Sequence, residues 1–445
     1  MMCQRVGMIK GMQKGMQTIW IVGSLTALVW GVTIPQAVRA AEFEDPGNRP
    51  VAQVLRPEVS TGPHYQVQDP VVAYDYEYHY SVTSDYGPFT VTGDSALRKL
   101  IREIYAIASL REVKKSKVYL ESLGAAAKRP VHLGKNLITH PVDTVTGVPT
   151  GVVTLFGNIG KGIATTVTGG RDPSEDNQAK QALQVAAYKR EWAYKLGVDP
   201  YSSNAVLQKE LNSVGWAGAL GSLSLTAVTL PASAPAITAL KMTRLGDQMT
   251  EIAEQRDDFG ARINKMIEDL PPARMRLDNE EKLSAMGIST ALATQYLDHP
   301  RFTPRHDAVI VESLAALKEA SEREVFLQLA LAANSEVEAD FVMNTAQTLR
   351  GYQLTTASLT GIQIVPPFVM TTTAKGGIFV PFPIDHFVWS ARAKQAVQRL
   401  QKAAGEGSPI ELWVTGTLSA LAREQMKNRG IVVRENIATR IAFID

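Results

Sequence analysis

At 445 residues, with 45% apolar and 20% charged side chains, the chain is long enough for two or three folded domains. Its 46 basic and 44 acidic residues leave a net charge of +2, which excludes the electrostatic footprint of a nucleic-acid binder. Cys3 is the only cysteine, so an internal disulfide framework and a multi-cysteine metal site are excluded as well.

Arg5, Lys10 and Lys14 form a basic lead, residues 18–34 an apolar run, and Val38-Arg39-Ala40 a small-residue cleavage pattern. This is the form of a secretory signal, and it predicts export to a periplasm with a mature chain starting at Ala41. The alternative is an uncleaved anchor over residues 15–38. Loss of the four basic residues Arg5, Lys10, Lys14 and Arg39 takes the net charge from +2 to −2, and Cys3 leaves with them.

Residues 41–68 are rich in Pro, Gly and Gln and predict an extended lead-in. From 71 to 82 the side chains alternate, with Val72, Tyr74, Tyr76, Tyr78 and Tyr80 on one face and Asp75, Glu77 and His79 on the other, the period of a strand. Tyr86-Gly87-Pro88 turns the chain into a second strand at 89–92. Gly93-Asp94-Ser95 then caps a helix on which Leu97, Leu100, Ile101, Ile104 and Ile107 recur at helical spacing.

Residues 139–170 hold seven glycines, yet Val152, Phe156, Ile159, Ile163 and Val167 fall at steps of four and three. They predict a glycine-weakened helix that needs support from protein or from a lipid interface. A helix at 177–196 ends on Gly197, and Ser203 or Asn204 caps the next one, which enters the uncharged stretch 211–240. That stretch is long enough to cross a bilayer. Its Gly215, Gly218, Gly221, Pro231 and Pro235 predict a close-packed buried helix broken near Pro231 instead.

Leu245, Met249, Ile252, Arg256, Phe259, Ile263, Met266 and Leu270 form a heptad seam that ends at Pro271-Pro272. Asp278 and Ser289 read as caps of two short helices, and 304–352 as helical pieces broken near 332–334. Strands at 362–365, 368–373, 378–382, 410–415 and 431–434 then alternate with helices at 391–403 and 418–428. The early strands at 71–92 are candidates for the same sheet. The pattern predicts an α+β, mainly helical protein: an irregular helical bundle with short N-terminal strands and a small C-terminal α+β unit. Its divisions are a signal at 1–40, a lead-in at 41–70, a strand-strand-helix unit at 71–135, a helical domain at 136–355 and a small α+β domain at 356–445.

Asp75, Glu77 and His79 are the candidate catalytic residues, because i and i+2 side chains of a strand project side by side and can share acid–base work or a metal. A half-exposed antiparallel strand carries the same pattern with no chemistry. The tyrosines opposite read as a sheet core or as a platform for a flat ligand. His299, His306-Asp307 and Asp385-His386 lack metal-ligand spacing, so no metal site is expected. Gly157-x-x-Gly160-x-Gly162 lacks the preceding strand of a dinucleotide loop, no nucleophile elbow or phosphate loop occurs, and no cofactor is expected. Thr415-Gly416-Thr417 lies between a strand and a helix, where free N–H groups can hold an anion. The sequence reads as an exported binding or interaction protein with a protein or small-molecule partner and no nucleic acid. The alternatives are a hydrolase using Asp75, Glu77 and His79, and a protein that docks on a membrane through residues 147–167.

Overall fold

The computed structural model describes residues 42–127, 180–220, 258–441, 443 and 444. The signal at 1–40, the glycine-weakened helix at 147–167, the part of 211–240 beyond Leu220 and the seam from Leu245 to Arg256 lie outside the described residues.

Strands β1 (Asn48–Arg49), β2 (Thr61–Gly62), β3 (Tyr65–Val67), β4 (Val71–Tyr74), β5 (Glu77–Ser84) and β6 (Gly87–Thr92) build a six-stranded antiparallel sheet around β5. The single strand expected over 71–82 is two strands. Asp75 and Tyr76 both have positive φ, 54° and 74°, as the two central residues of a tight hairpin turn do, and Tyr74 therefore pairs with Glu77. The turn divides the tyrosine face. Val72 and Tyr74 point to solvent at 41% and 50% exposure, whereas Tyr78 and Tyr80 are buried in this sheet's core. Tyr76 enters a different core, stacked on Phe387 with ring centroids 5.2 Å apart.

Helix α1 (Asp94–Lys115) covers the sheet with Leu97, Leu100, Ile101 and Ile104, the apolar stripe expected of it. Ile107, Leu110 and Val113, farther along, enter a second core with α2 (Lys117–Ala127), α3 (Lys180–Leu196) and α4 (Ala205–Leu220) around Trp192, Leu207 and Leu211. Asn204 caps α4, its Oδ1 accepting from the Val206 and Leu207 N–H groups at 3.1 and 3.2 Å. Small residues bring α3 and α4 together: a Cβ on Gly215 would lie 2.9 Å from the Val185 carbonyl oxygen, and one on Gly218 would lie 2.7 Å from the Tyr188 ring. The described part of the uncharged stretch is thus a helix packed against protein. Gly218→Ala is expected to lower stability by about 1–2 kcal/mol, because the ring clash outweighs the helix propensity gained. Urea denaturation checks the sign; a stabilised variant would show that Tyr188 swings aside freely.

Helices α5 (Phe259–Asp269), α6 (Pro272–Ala285), α7 (Thr290–Leu297), α8 (Pro304–Ala315), α9 (Arg323–Ala330) and α10 (Glu336–Thr355) precede the second sheet. Ser289 caps α7 as expected, but Asp278 lies inside α6, which starts at Pro272. The second sheet holds β7 (Leu359–Val365), β8 (Phe368–Thr373), β9 (Ile378–Phe382), β11 (Ile410–Val414) and β13 (Ile431–Arg434) in the order β13-β11-β9-β8-β7. β9, β11 and β13 run parallel, and β7 and β8 antiparallel. β10 (His386–Phe387) and β12 (Thr417–Leu418) form a separate parallel pair, and α11 (Ala391–Ala404) and α12 (Ala420–Asn428) make the crossovers. Every residue of β9 is buried, as in a strand covered on both faces.

This architecture overturns the expected helical bundle with a small C-terminal unit. Two sheets organise the chain, and the strands within 71–92 build their own sheet rather than joining the later one. Helices α5 to α10 share one hydrophobic core with the second sheet: Tyr352 of α10 stacks on Phe379 of β9 at 3.8 Å, and Phe341 meets Phe382 at 6.1 Å. The apolar stripes of those helices announced that they had partners. They could not announce that the partner was a sheet farther along the chain.

Candidate functional site

The loops that follow the three parallel strands converge on one cleft. Pro383 and Asp385 come from the end of β9, Thr415 and Gly416 from the end of β11, and Ala438 from the segment after β13. Facing them are Glu77 at the start of β5, Gly93 and Asp94 at the start of α1, and Asp340 and Asn344 on α10. The cleft volume is ≈ 70 Å³.

Asp385 is the centre of its polar wall. Its Oδ2 accepts the Tyr78 N–H at 2.9 Å, and both oxygens lie 3.1 Å from the Asp94 N–H, the first free amide of α1. Its own N–H and that of His386 donate to the Tyr76 carbonyl at 3.2 and 3.1 Å. Gly93, at φ 96°, lets β6 pass straight into α1 and leaves room for Glu77, since a Cβ there would lie 3.3 Å from Glu77 Oε2.

Glu77 is buried and hydrogen-bonded to Asp385. Burial pushes its carboxyl well above the usual range, and the carboxylates of Asp385, Asp94 and Asp75 push it further the same way. Burial and then Asp94 raise Asp385 to about 7, against the opposing pull of the two backbone N–H groups. Their hydrogen bond raises Glu77 and lowers Asp385, as it does when Glu77 donates and Asp385 accepts. Asp94 is tied in through the Tyr80 hydroxyl, which donates to its Oδ1 at 2.5 Å.

Of the three residues singled out from the sequence, Glu77 alone enters the cleft. Asp75 sits in the hairpin turn with its Oδ1 3.5 Å from Arg392 Nη1 of α11. His79 pairs its Nδ1 with Thr92 Oγ1 at 2.9 Å, and burial lowers its pKa. At Thr415-Gly416-Thr417, where free N–H groups can hold an anion, the Gly416 and Thr417 N–H groups instead donate to the carbonyls of Ile384 and Asp385 at 2.8 and 2.9 Å. Asp385, Asp94 and Asp340 were missed as a group. In the sequence Asp385-His386 shows only a lack of metal-ligand spacing, and Asp94 only a place in a helix cap.

The surrounding side chains are locked. His386 Nε2 accepts from Arg49 Nη2 at 3.0 Å, which leaves Nδ1–H to donate to Thr417 Oγ1 at 3.1 Å. Burial and Arg49 lower His386 to about 4, so the ring is neutral at neutral pH. His306, capping α8 with Thr303, holds Asp340 from behind at 2.8 Å. Among the described residues no group of three His, Asp or Glu is arranged to hold a metal ion, and no helix is long and apolar enough to cross a membrane. Comparison with family models, curated proteins and solved structures finds no match to the chain.

The carboxyl pair sets a pH dependence of stability. Both folded-state pKa values are raised above the unfolded values near 4, so the folded chain keeps protons that the unfolded chain has lost. Their stabilising contribution is complete below pH about 4 and declines as pH rises, through about 7 for Asp385 and with the same sign for Glu77. The slope is about 1.4 kcal/mol per pH unit for each retained proton. Glu77→Gln keeps a donor to Asp385 and removes one titration, so its stability should fall less steeply than wild type between pH 5 and 8. Parallel curves in urea melts across that range would contradict the shared proton.

Proposed function

We propose that the protein is an exported binding protein whose ligand sits in the cleft at the carboxyl ends of β9, β11 and β13. The observation that carries this reading is the convergence of the loops after all three parallel strands on one cleft, the place where open α/β sheets bind ligands. At ≈ 70 Å³ the cleft accepts a small polar molecule or one end of a larger one. Neutral Glu77 can donate or accept a hydrogen bond there, and Asp94 and Asp340 accept. The basic-apolar leader supports export, and an N-terminal sequence beginning at Ala41 is the expected result for the mature chain.

The test is a thermal-shift panel of amino acids, monosaccharides and linear polyamines on mature wild-type protein and on Asn344→Trp, which fills the cleft from α10. A ligand should raise the wild-type melting temperature in proportion to its occupancy and leave Asn344→Trp unmoved. Shifts of equal size in both proteins, or none in either, would remove the cleft from the account.

A second reading has its own support. A protonated carboxyl beside a carboxylate is the arrangement a general acid requires, so a hydrolase would use Glu77 as proton donor rather than the set Asp75, Glu77 and His79. Turnover of any substrate found by the panel, abolished in Glu77→Gln, would favour it. Membrane docking through residues 147–167 rests on sequence alone, and co-sedimentation of the mature protein with anionic liposomes decides it.

A further inference from the structure

The two sheets meet through a polar joint as well as an apolar one. On one side stand Glu77 and Tyr78 of β5 and the first turn of α1, and on the other the three-residue link from Pro383 to Asp385. Asp385 receives the amides of both β5 and α1, and its backbone and that of His386 hold the Tyr76 carbonyl. Glu77 and Asp385 are 8% and 7% exposed, so little solvent reaches either carboxyl to offset a second charge. We infer that Glu77 and Asp385 form a proton-operated latch between the six-stranded and five-stranded sheets, closed while they share a proton and released when it is lost.

The charges facing the latch explain the direction. Asp94 lies on it from α1 and Asp75 from the hairpin turn, both negative. Asp340 lines the same cleft from α10. Of the cations nearby, Arg392 pairs with Asp75 and Arg49 with the neutral His386. Arg98 is on the cleft wall. Tyr78 and Tyr80 stay protonated, since burial raises both hydroxyls, to about 12 for Tyr78. Losing the proton therefore sets two buried carboxylates against each other with two more acidic groups beside them. The least costly relief is to let water in at the joint. The amides of Tyr78 and Asp94 lose their acceptor when that happens. The latch needs no ligand in the cleft, so its test is separate from that of the binding reading.

Hydrogen exchange of the mature full-length chain tests it, read at the Tyr78 and Asp94 amides from pH 5 to pH 8 and divided by each amide's intrinsic rate. Opening releases a proton, so protection at both amides should fall with pH, by as much as about tenfold per unit per proton. In Glu77→Gln, which donates to Asp385 at every pH, the fall should be shallower at these amides. If that variant does not fold, Asp94→Asn gives the answer. It keeps an oxygen for the Tyr80 hydroxyl and removes one repelling charge, so protection at pH 8 should exceed wild type. Protection that is independent of pH in wild type, or that falls identically in whichever variant folds, overturns the latch.

Discussion

Gly416→Ala lowers folding stability by more than about 3 kcal/mol and dismantles the cleft. A Cβ at this position would lie 1.8 Å from the Asp385 carbonyl oxygen, 2.5 Å from its carbonyl carbon and 2.7 Å from its Cα. All three atoms are backbone, so no side chain can rotate away. Nor can either segment retreat. The Gly416 N–H is bound to Ile384, the Thr417 N–H to Asp385, and the Gly416 carbonyl accepts from Asn436 at 2.9 Å. Moving Gly416 by the required ångström or more breaks the β10–β12 pairing and displaces the Asp385 carboxylate from Tyr78 and Asp94. Gly376→Ala is the control. Gly376 has φ 79° with nothing within 4 Å of an added Cβ, so it bears only the left-handed backbone cost of about 1–2 kcal/mol. Equal losses for the two variants in urea denaturation would mean that the joint around Gly416 yields far more readily than its backbone hydrogen bonds imply.

Asp385→Ala is expected to cost on the order of 4 kcal/mol. The change removes the carboxylate that accepts the Tyr78 and Asp94 amides and leaves Glu77 without its partner. A buried polar group stripped of its partner costs about 1–3 kcal/mol, and three groups are affected here. Asp385→Asn keeps one carbonyl oxygen for the amides and offers an NH₂ to Glu77, so it should cost less than half as much. It also reverses the direction of the hydrogen bond. With a donor facing it and one negative charge gone, Glu77 becomes easier to ionise, and the steep loss of stability above pH 5 should be reduced in the Asn variant. If Ala and Asn prove equally destabilising, the hydrogen bonds are not what Asp385 contributes.

Parts of this arrangement are legible in the sequence. The i and i+2 spacing of a strand marks Glu77 together with Asp75 and His79, and Glu77 does line the cleft. Asp75 was placed beside it because Asp75-Tyr76 lacks the Asn-Gly or Asp-Gly signature of a two-residue hairpin turn, which left the alternation from Val71 to Val82 looking unbroken. Once those two residues adopt positive φ, the parity of every side chain on either side is reset, and Asp75 turns toward Arg392. His79 was also credited with a shared face, and its actual partner is Thr92 on the neighbouring strand. Asp385 and Asp94 were each seen in a local role. Their relation to Glu77 depends on how the two sheets dock, for which no local pattern exists.

What the chain's own order of residues determined is local. Helix ends follow from Gly197, Ser289 and the Pro271-Pro272 pair, and the later strands follow from runs of β-branched and aromatic residues between turn signals. These depend on backbone preferences within a few residues, and so they can be read from a window. The tertiary structure alone decided that strands at 48–92 form a sheet of their own, that helices 259–355 pack on the second sheet, and that Glu77, Asp94 and Asp385 share one buried joint. Those outcomes depend on burial and desolvation between residues hundreds of positions apart, where each side chain's energy is set by neighbours that its own segment does not specify.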